Sequence, residues 1–315
     1  MKILVVGGAG YVGGAITDLL LKKNKKYNVT VYDNLLYEET YLKECIFVNG
    51  DIRDKKKILP YLKWADIVIW AAALVGDGAC SINPDLTLDI NLKTVKFLVK
   101  NFNKKIIFFS TCSVYGAQNG ILNENSSTKP LSVYANSKLM AEKLLIHKNA
   151  IIFRLGTLFG IADKFSRIRL DLVVNTLVAK ALQLGKISVF GGDQYRPLLH
   201  VKDVARAVEL AIKSKKRGIY NLHYYNAVIH EIATKIKKYF KNVKILKVNM
   251  KFEDLRNYRV NSDKVKKDLK FKPIYNLDYG IQELIAILKE KRIKDIDNPR
   301  YTNQIYLNKF IDYLK

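Results

Sequence analysis

Ile3-Leu4-Val5-Val6-Gly7-Gly8-Ala9-Gly10-Tyr11-Val12-Gly13 opens the chain with four apolar residues that run straight into glycines at 7, 10 and 13. An apolar run without polar alternation suits a strand covered on both faces. A helical pattern follows over Val12–Lys22. Between strand and helix, Gly7 permits a tight turn, Gly10 lets backbone N–H groups approach a pyrophosphate, and Gly13 allows close packing. Asp33 stands twenty residues beyond Gly13, after the apolar run Val29–Tyr32. A carboxylate there accepts hydrogen bonds from ribose hydroxyls and repels a 2′-phosphate. Asn34-Leu35-Leu36 bring no arginine to receive that phosphate, so the expected cofactor is NAD rather than NADP.

Working outward, the apolar runs Ile46–Val48, Ile67–Trp70, Ile106–Phe109 and Ile151–Phe153 alternate with the helical stretches Leu86–Lys100 and Val133–His147. Strands alternating with helices predict an α/β fold, a Rossmann-type doubly wound parallel sheet with right-handed crossovers. Past about residue 160 the pattern loosens. Asp171 reads as the cap of a helix through Leu184, stopped by Gly185. Asp203 reads as the cap of another, with an apolar stripe of Val204, Ala207, Val208, Ala211 and Ile212. Two further helices are expected over His230–Phe240 and Tyr279–Lys291. We divide the chain into an NAD-binding Rossmann domain over 1–165, with some later segments returning to it, and a smaller α/β lobe over 166–315. That lobe is expected to roof the carboxyl ends of the strands, where ligands of such sheets sit.

Composition narrows the classes. Of 315 residues, 49% are apolar and 26% charged, ordinary globular values. The best apolar window, Ile67–Val75, is half the ~18 residues a membrane span needs. Met1-Lys2-Ile3-Leu4-Val5-Val6 breaks at Gly7-Gly8, short of the about 7–15 apolar residues of a signal peptide. Cys45, Cys80 and Cys112 show no pairing or zinc pattern, and His147, His200, His223 and His230 fit no metal site. A cytoplasmic protein without a metal is expected. The net charge of +25 comes from scattered lysines such as Lys22-Lys23, Lys55 to Lys57 and Lys266-Lys267. Scatter of that kind reads as solvated surface, so neither nucleic acid nor membrane is expected as a partner. The charge would help steer a doubly negative small substrate.

The spacing Gly-x-x-Gly-x-x-Gly resembles the extended branch of the short-chain dehydrogenase/reductase superfamily, the NAD-dependent nucleotide-sugar epimerases and dehydratases. Gly50-Asp51-Ile52-Arg53-Asp54 continues the likeness, which implies that Asp51 and Ile52 read the adenine edge. In Trp70-Ala71-Ala72-Ala73 the alanines let the cofactor lie close, with Trp70 where the family commonly has His. Asn91 stands where the family keeps Asn, and Tyr11, Val12 and Asn34 join the implied cofactor set. Tyr134-Ala135-Asn136-Ser137-Lys138 matches the superfamily's Tyr-x-x-x-Lys, and residues at i and i+4 share a helix face. A phenol near ~10 is a poor base, and a cation beside it favours the phenolate. Lys138 and the oxidised nicotinamide are expected to supply that charge, making Tyr134 the general base and acid. Thr111-Cys112-Ser113-Val114-Tyr115-Gly116 matches Ser/Thr-x-x-Val-Tyr-Gly and puts the catalytic hydroxyl at Thr111, with Ser110 and Ser113 as rivals.

The same segment bears on the reaction. The family's 4,6-dehydratases carry Thr-Asp-Glu, whereas Thr111-Cys112-Ser113 has neither acid, which disfavours elimination. The resemblance then implies epimerisation of a nucleotide-diphosphate sugar, at C4. A 4-dehydrogenase or 4-ketoreductase acting on a hexose or heptose stays open, and a non-catalytic NAD-sensing regulator would lack the Tyr134 and Lys138 pair. Arg196 and Arg256 match the two arginines that grip the diphosphate, a task suited to guanidinium forks. Arg167 and Arg169 are further candidates, and Thr157 occupies the place of the family's Asn in Arg154-Leu155-Gly156-Thr157. Val75 to Cys80 is placed beside the sugar, with Cys80 packing rather than reacting. Family members commonly form homodimers through two helices each, here Leu86–Lys100 and Val133–His147.

Overall fold

Seven parallel strands form one sheet in the computed structural model, which describes residues 1–23, 26–163, 165–248 and 257–311. They are β1 (Lys2–Val6), β2 (Asn28–Asp33), β3 (Ile46–Asn49), β4 (Ile67–Trp70), β5 (Lys105–Thr111), β6 (Ala150–Leu155) and β7 (Gly218–Leu222). Their order is β7-β6-β5-β4-β1-β2-β3. The chain winds one way from β1 to β3 and the other from β4 to β7, so the order switches between β1 and β4, which pair Val6 with Trp70. A crevice opens at that switch, at the carboxyl ends of the strands. The six apolar runs seen in the sequence are six of the strands. The seventh, β7, went unseen because Gly218-Ile219-Tyr220-Asn221-Leu222 mixes polar and apolar residues, as an edge strand can.

Helices cover both faces. On one, α1 (Tyr11–Lys22) buries Ile16 and Leu20 beside Val204 and Val208 of a later helix. On the other, Ile58, Leu62, Leu98 and Leu145 pack under the sheet. The expected helix Leu86–Lys100 is interrupted. It runs as Pro84–Leu88, a π-helical turn at Asp89–Lys93, then α2 (Thr94–Asn101), which places Asn91 in the turn. The Tyr-x-x-x-Lys helix is α3 (Val133–Leu145), capped by Ser132, whose Oγ accepts from Ala135 N.

Two expected caps are corrected. The helix after Asp171 is α4 (Val173–Leu184), capped from Leu172, and Gly185 ends it with φ +62°. Asp171 instead pairs with Arg169 and accepts from Asn303 N, because a buried guanidinium claims it first. The next helix, α5 (Val201–Lys213), is capped by His200, whose Nδ1 accepts from Lys202 N. Asp203 lies inside its first turn, fully buried, and accepts from Ile274 N and Tyr275 N. It fastens a distant loop and pairs with Arg206 of its own helix at 2.7 Å, rather than capping that helix.

The lobe over the strand ends has its own core, with Val174, Leu177, Ile232 and Leu284 around a three-stranded sheet of Thr157–Phe159, Tyr195–His200 and Tyr225–Val228. The last helix among the described residues, α6 (Asn303–Phe310), lies back across the crevice. No helix among the described residues is long and apolar enough to cross a membrane.

Candidate active site

A cavity of about 660 Å³ fills the crevice between the strand ends and the lobe. Its floor is the glycine loop. Gly7 has φ +84°, and a Cβ there would strike the Ala72 backbone; one on Gly13 would strike the Gly7 carbonyl. The fold itself demands those two glycines. Gly10 differs: its φ is −74°, and a Cβ there would meet nothing nearer than Gly7 O at 3.4 Å. Since the protein would tolerate a side chain at Gly10, its bareness leaves room for something in the cavity that it lines. Tyr11, Val12 and Gly13 form the first turn of α1, whose amides have no intrahelical acceptor and carry the positive end of the helix dipole. This cradle fits a diphosphate.

Asp33, at the end of β2, lies on the cavity wall. Its carboxylate accepts from Ala9 N at 3.0 Å and Leu35 N at 2.8 Å, so it also braces the glycine loop. Burial pushes its pKa up, against those hydrogen bonds. Asn34 turns its Oδ1 to Leu36 N. Asp51 and Ile52 reach the wall from β3's end, with Asp51 fastened to Arg53 at 2.9 Å. Burial works against the Asp51 carboxylate, yet Arg53 holds its pKa below the usual range. Ala71, Ala72 and Ala73 complete this side, the first two amides both donating to Val6 O. The residues present fit NAD: an acid at the ribose position, small residues at the close approach, and free amides at the diphosphate.

Two members of the expected cofactor set act differently. The Tyr11 hydroxyl donates to Gly160 O at 2.7 Å, so its ring ties α1 to the lobe while its backbone lines the cavity. Asn91 is buried away from the wall. It clasps Leu74 through N and O (2.9 Å each) and donates to Ser137 Oγ at 3.1 Å, joining the loop after β4 to α3. Trp70 is a core side chain whose Nε1 has no partner among the described residues.

Thr111 ends β5, and Tyr134 and Lys138 come from α3; all three line the cavity. Of the three rival hydroxyls, that of Thr111 is the one that acts on the Tyr134 phenol, lowering its pKa, and it accepts from Ser113 N at 3.1 Å. Ser113 Oγ lies 3.3 Å from the Tyr258 hydroxyl instead. Lys138 is 4% exposed, its Nζ 4.9 Å from the Phe108 ring centre. Burial pulls its ammonium down to about 8. Burial comes first and drives the Tyr134 pKa up, helped by Cys80 and Asp77, with Arg169 and Thr111 opposing.

Sequence reasoning missed what holds α3 in place. Glu142, one turn beyond Lys138, forms a buried pair with Arg154 of β6 at 2.7 Å. Arg154 Nη1 donates to Tyr115 OH, which donates to Asn221 Oδ1 of β7 at 2.8 Å. The network links α3 to the loop after Thr111. Its only sequence signal is the i+4 spacing from Lys138.

On the lobe side, Arg196 is 5% exposed and reaches the wall with Ser188, Gln194 and Thr157. Its Nη1 donates to Tyr195 O at 2.8 Å. Arg169 is held by both oxygens of Asp171, at 2.8 and 3.0 Å. Arg256 lies outside the described residues. Cys80 is fully buried, and burial pushes its thiol up to about 12, so it packs as expected.

The model of the NAD dependent epimerase/dehydratase family matches residues 3–223. The chain is 30% identical over 255 residues to a UDP-glucose 4-epimerase of Halalkalibacterium halodurans, covering 70% of this chain and 75% of that protein. It is 27% identical over 317 residues to a UDP-glucuronate 4-epimerase of Thermodesulfobacterium geofontis, covering 91% and 96%. Among solved structures, Pal from Bacillus thuringiensis superposes with a TM-score of 0.81 at 27% identity, over 92% of this chain and 99% of that one. The UDP-glucose 4-epimerase of Thermus thermophilus in complex with NAD gives 0.81 at 22% identity, over 92% and 100%, a likeness of fold.

Proposed function

The chain belongs to the NAD dependent epimerase/dehydratase family, and from that premise we propose that it inverts C4 of a nucleoside-diphosphate sugar by transient oxidation. NAD is its cofactor and supplies, when bound, a reversible two-electron acceptor. The observation that carries the reading is the meeting of Thr111, Tyr134 and Lys138 at the wall shared by the glycine loop and the lobe. Tyr134 takes the proton of the C4 hydroxyl, with the Thr111 hydroxyl guiding it, while the C4 hydrogen departs with its electron pair. Tyr134 returns the proton when that hydrogen comes back to the other face of the keto-sugar. No net redox change results. Lys138 favours the phenolate in the first half, and burial of the phenol favours the acid needed in the second. Cys112 and Ser113 place no carboxylic acid beside Thr111, which speaks against expulsion of water.

Arg196 and Arg256 hold the substrate diphosphate and Thr157 meets the sugar. The relatives named for UDP-glucose and UDP-glucuronate 4-epimerisation support both the carbon and the class of substrate. The working form is a homodimer built on Pro84–Asn101 and α3, where Met140 is exposed. Its place is the cytoplasm, in keeping with three free cysteines. The test is mass spectrometry of what the freshly purified, denatured protein releases. About one NAD per chain, with C4 epimerisation in its absence from the buffer, supports a closed cycle. Net production of a keto-sugar with added NAD overturns it in favour of the dehydrogenase.

A further inference from the structure

Two buried guanidinium groups line the cavity away from Arg196. Arg167 is 5% exposed, its guanidinium carbon 3.7 Å from the Tyr37 ring centre. Nη1 donates to Asn303 Oδ1 at 2.6 Å and Nη2 to the Arg300 carbonyl at 2.9 Å. Its Nε is buried without a hydrogen-bond partner among the described residues. Both acceptors are neutral oxygens, and a buried cation so held is costly. Burial, and then the neighbouring Arg169, bring its pKa down to about 10, so it stays charged at neutral pH. Arg169 shares the segment and is paired with Asp171. The carboxylates that act on Arg167 are Asp171, held by Arg169, and Glu38, held by Arg300.

Position in the fold identifies the anion. Tyr37 stands four residues beyond Asp33, on the loop that leaves β2. Ser166, next to Arg167, lies against the first turn of α1, where a Cβ on Gly14 would strike its side chain. Lys43 locks that approach, donating to Gly14 O at 2.6 Å, Ser166 Oγ at 3.1 Å and Asp163 Oδ2 at 2.6 Å. The segment therefore crosses the helix end whose amides form the diphosphate cradle. Asn303 ties it to two further segments. Asn303, 3% exposed, accepts from Arg167, donates through Nδ2 to Val75 O at 2.7 Å, and donates its N–H to Asp171 at 2.9 Å.

We propose that Arg167, with Arg169 beside it, is a cationic clamp for the diphosphate of the cofactor, adding to the α1 amides, and that the start of α6 holds the clamp through Asn303. Arg169 thereby moves from the substrate set, where the sequence put it, to the cofactor set. The inference rests on the chain's using NAD, not on the reaction at C4.

The test is calorimetric titration of cofactor-stripped protein with NAD, ADP-ribose, adenosine and UDP. Losing charge-assisted hydrogen bonds in Arg167→Met is expected to weaken NAD and ADP-ribose about tenfold to hundredfold. Adenosine, which lacks a diphosphate, and UDP, a probe of the Arg196 end, keep their wild-type affinities. Arg167→Lys recovers part of the loss. Asn303→Ala keeps the cation but removes its holder, and weakens the same two ligands by a smaller factor. Wild-type affinity for NAD and ADP-ribose in Arg167→Met overturns the clamp. So does selective loss of UDP, or equal loss of all four ligands. A wild-type protein that binds NAD but turns over no nucleotide sugar overturns the C4 reaction and leaves the clamp standing.

Discussion

The two walls of the cavity are built by different means. The glycine-loop wall is local: Gly7, Gly10, Gly13 and Asp33 lie within one strand–helix–strand unit, and each does its work through backbone shape or a short contact. The opposite wall is assembled from afar. Arg167 depends on Arg300 and Asn303, Asp171 on Asn303, and α3 on Arg154 and Asn221 through Glu142 and Tyr115. A local wall tolerates loss of remote parts, whereas an assembled wall transmits it.

The largest effect expected is at the chemistry where the walls meet. Tyr134→Phe removes the proton carrier alone, so turnover should fall roughly 10²–10⁴-fold while NAD remains bound. Steady-state rates and the released cofactor check both halves, and retained activity would assign the base elsewhere. Next comes the assembled side. Glu142→Ala leaves the Arg154 cation buried without its carboxylate, at a cost of about 3–5 kcal/mol. A drop in melting temperature of several degrees, with NAD affinity and turnover both impaired, is expected. A wild-type melt would show the network to be dispensable.

The local wall gives a narrower response. Gly10→Ala should melt like the wild type, since its Cβ clears the protein, yet bind NAD about tenfold more weakly. Equal losses of stability and affinity would mean that Gly10 serves the fold and not a ligand. The smallest effect reverses sign. Lys138 titrates near 8 when folded but ~10.5 when unfolded. The folded state pays for holding the ammonium below pH 8, and the penalty fades as pH rises towards 10.5. Lys138→Met in the cofactor-free protein should therefore raise the melting temperature by a few degrees at pH 7, and by less at pH 10, while turnover is lost. No gain at either pH would show that burial does not strain this lysine.

The same division explains what could be read from the sequence. The apolar runs and the glycine triplet report backbone environment directly, so six of the seven strands, the NAD loop and the Tyr134–Lys138 pair were legible residue by residue. Asn91 was found by likeness of position, but its clasp on Leu74 and Ser137 depends on a π-helical turn that periodicity does not announce. Asp171 and Asp203 looked like caps because Asp favours that position. Buried tertiary donors claimed both. Asn303 carried no local signal, since its partners lie 132 to 228 residues away in sequence.

Epimerisation by a closed cycle requires hydrogen to leave C4 and return to it on the same enzyme. Proton NMR of UDP-glucose incubated in D2O with the NAD-loaded enzyme, without further cofactor, tests it most directly. The prediction is a mixture of C4 epimers that carry no deuterium at C4. Deuterium at C4, or no epimer alongside accumulating NADH, would contradict it.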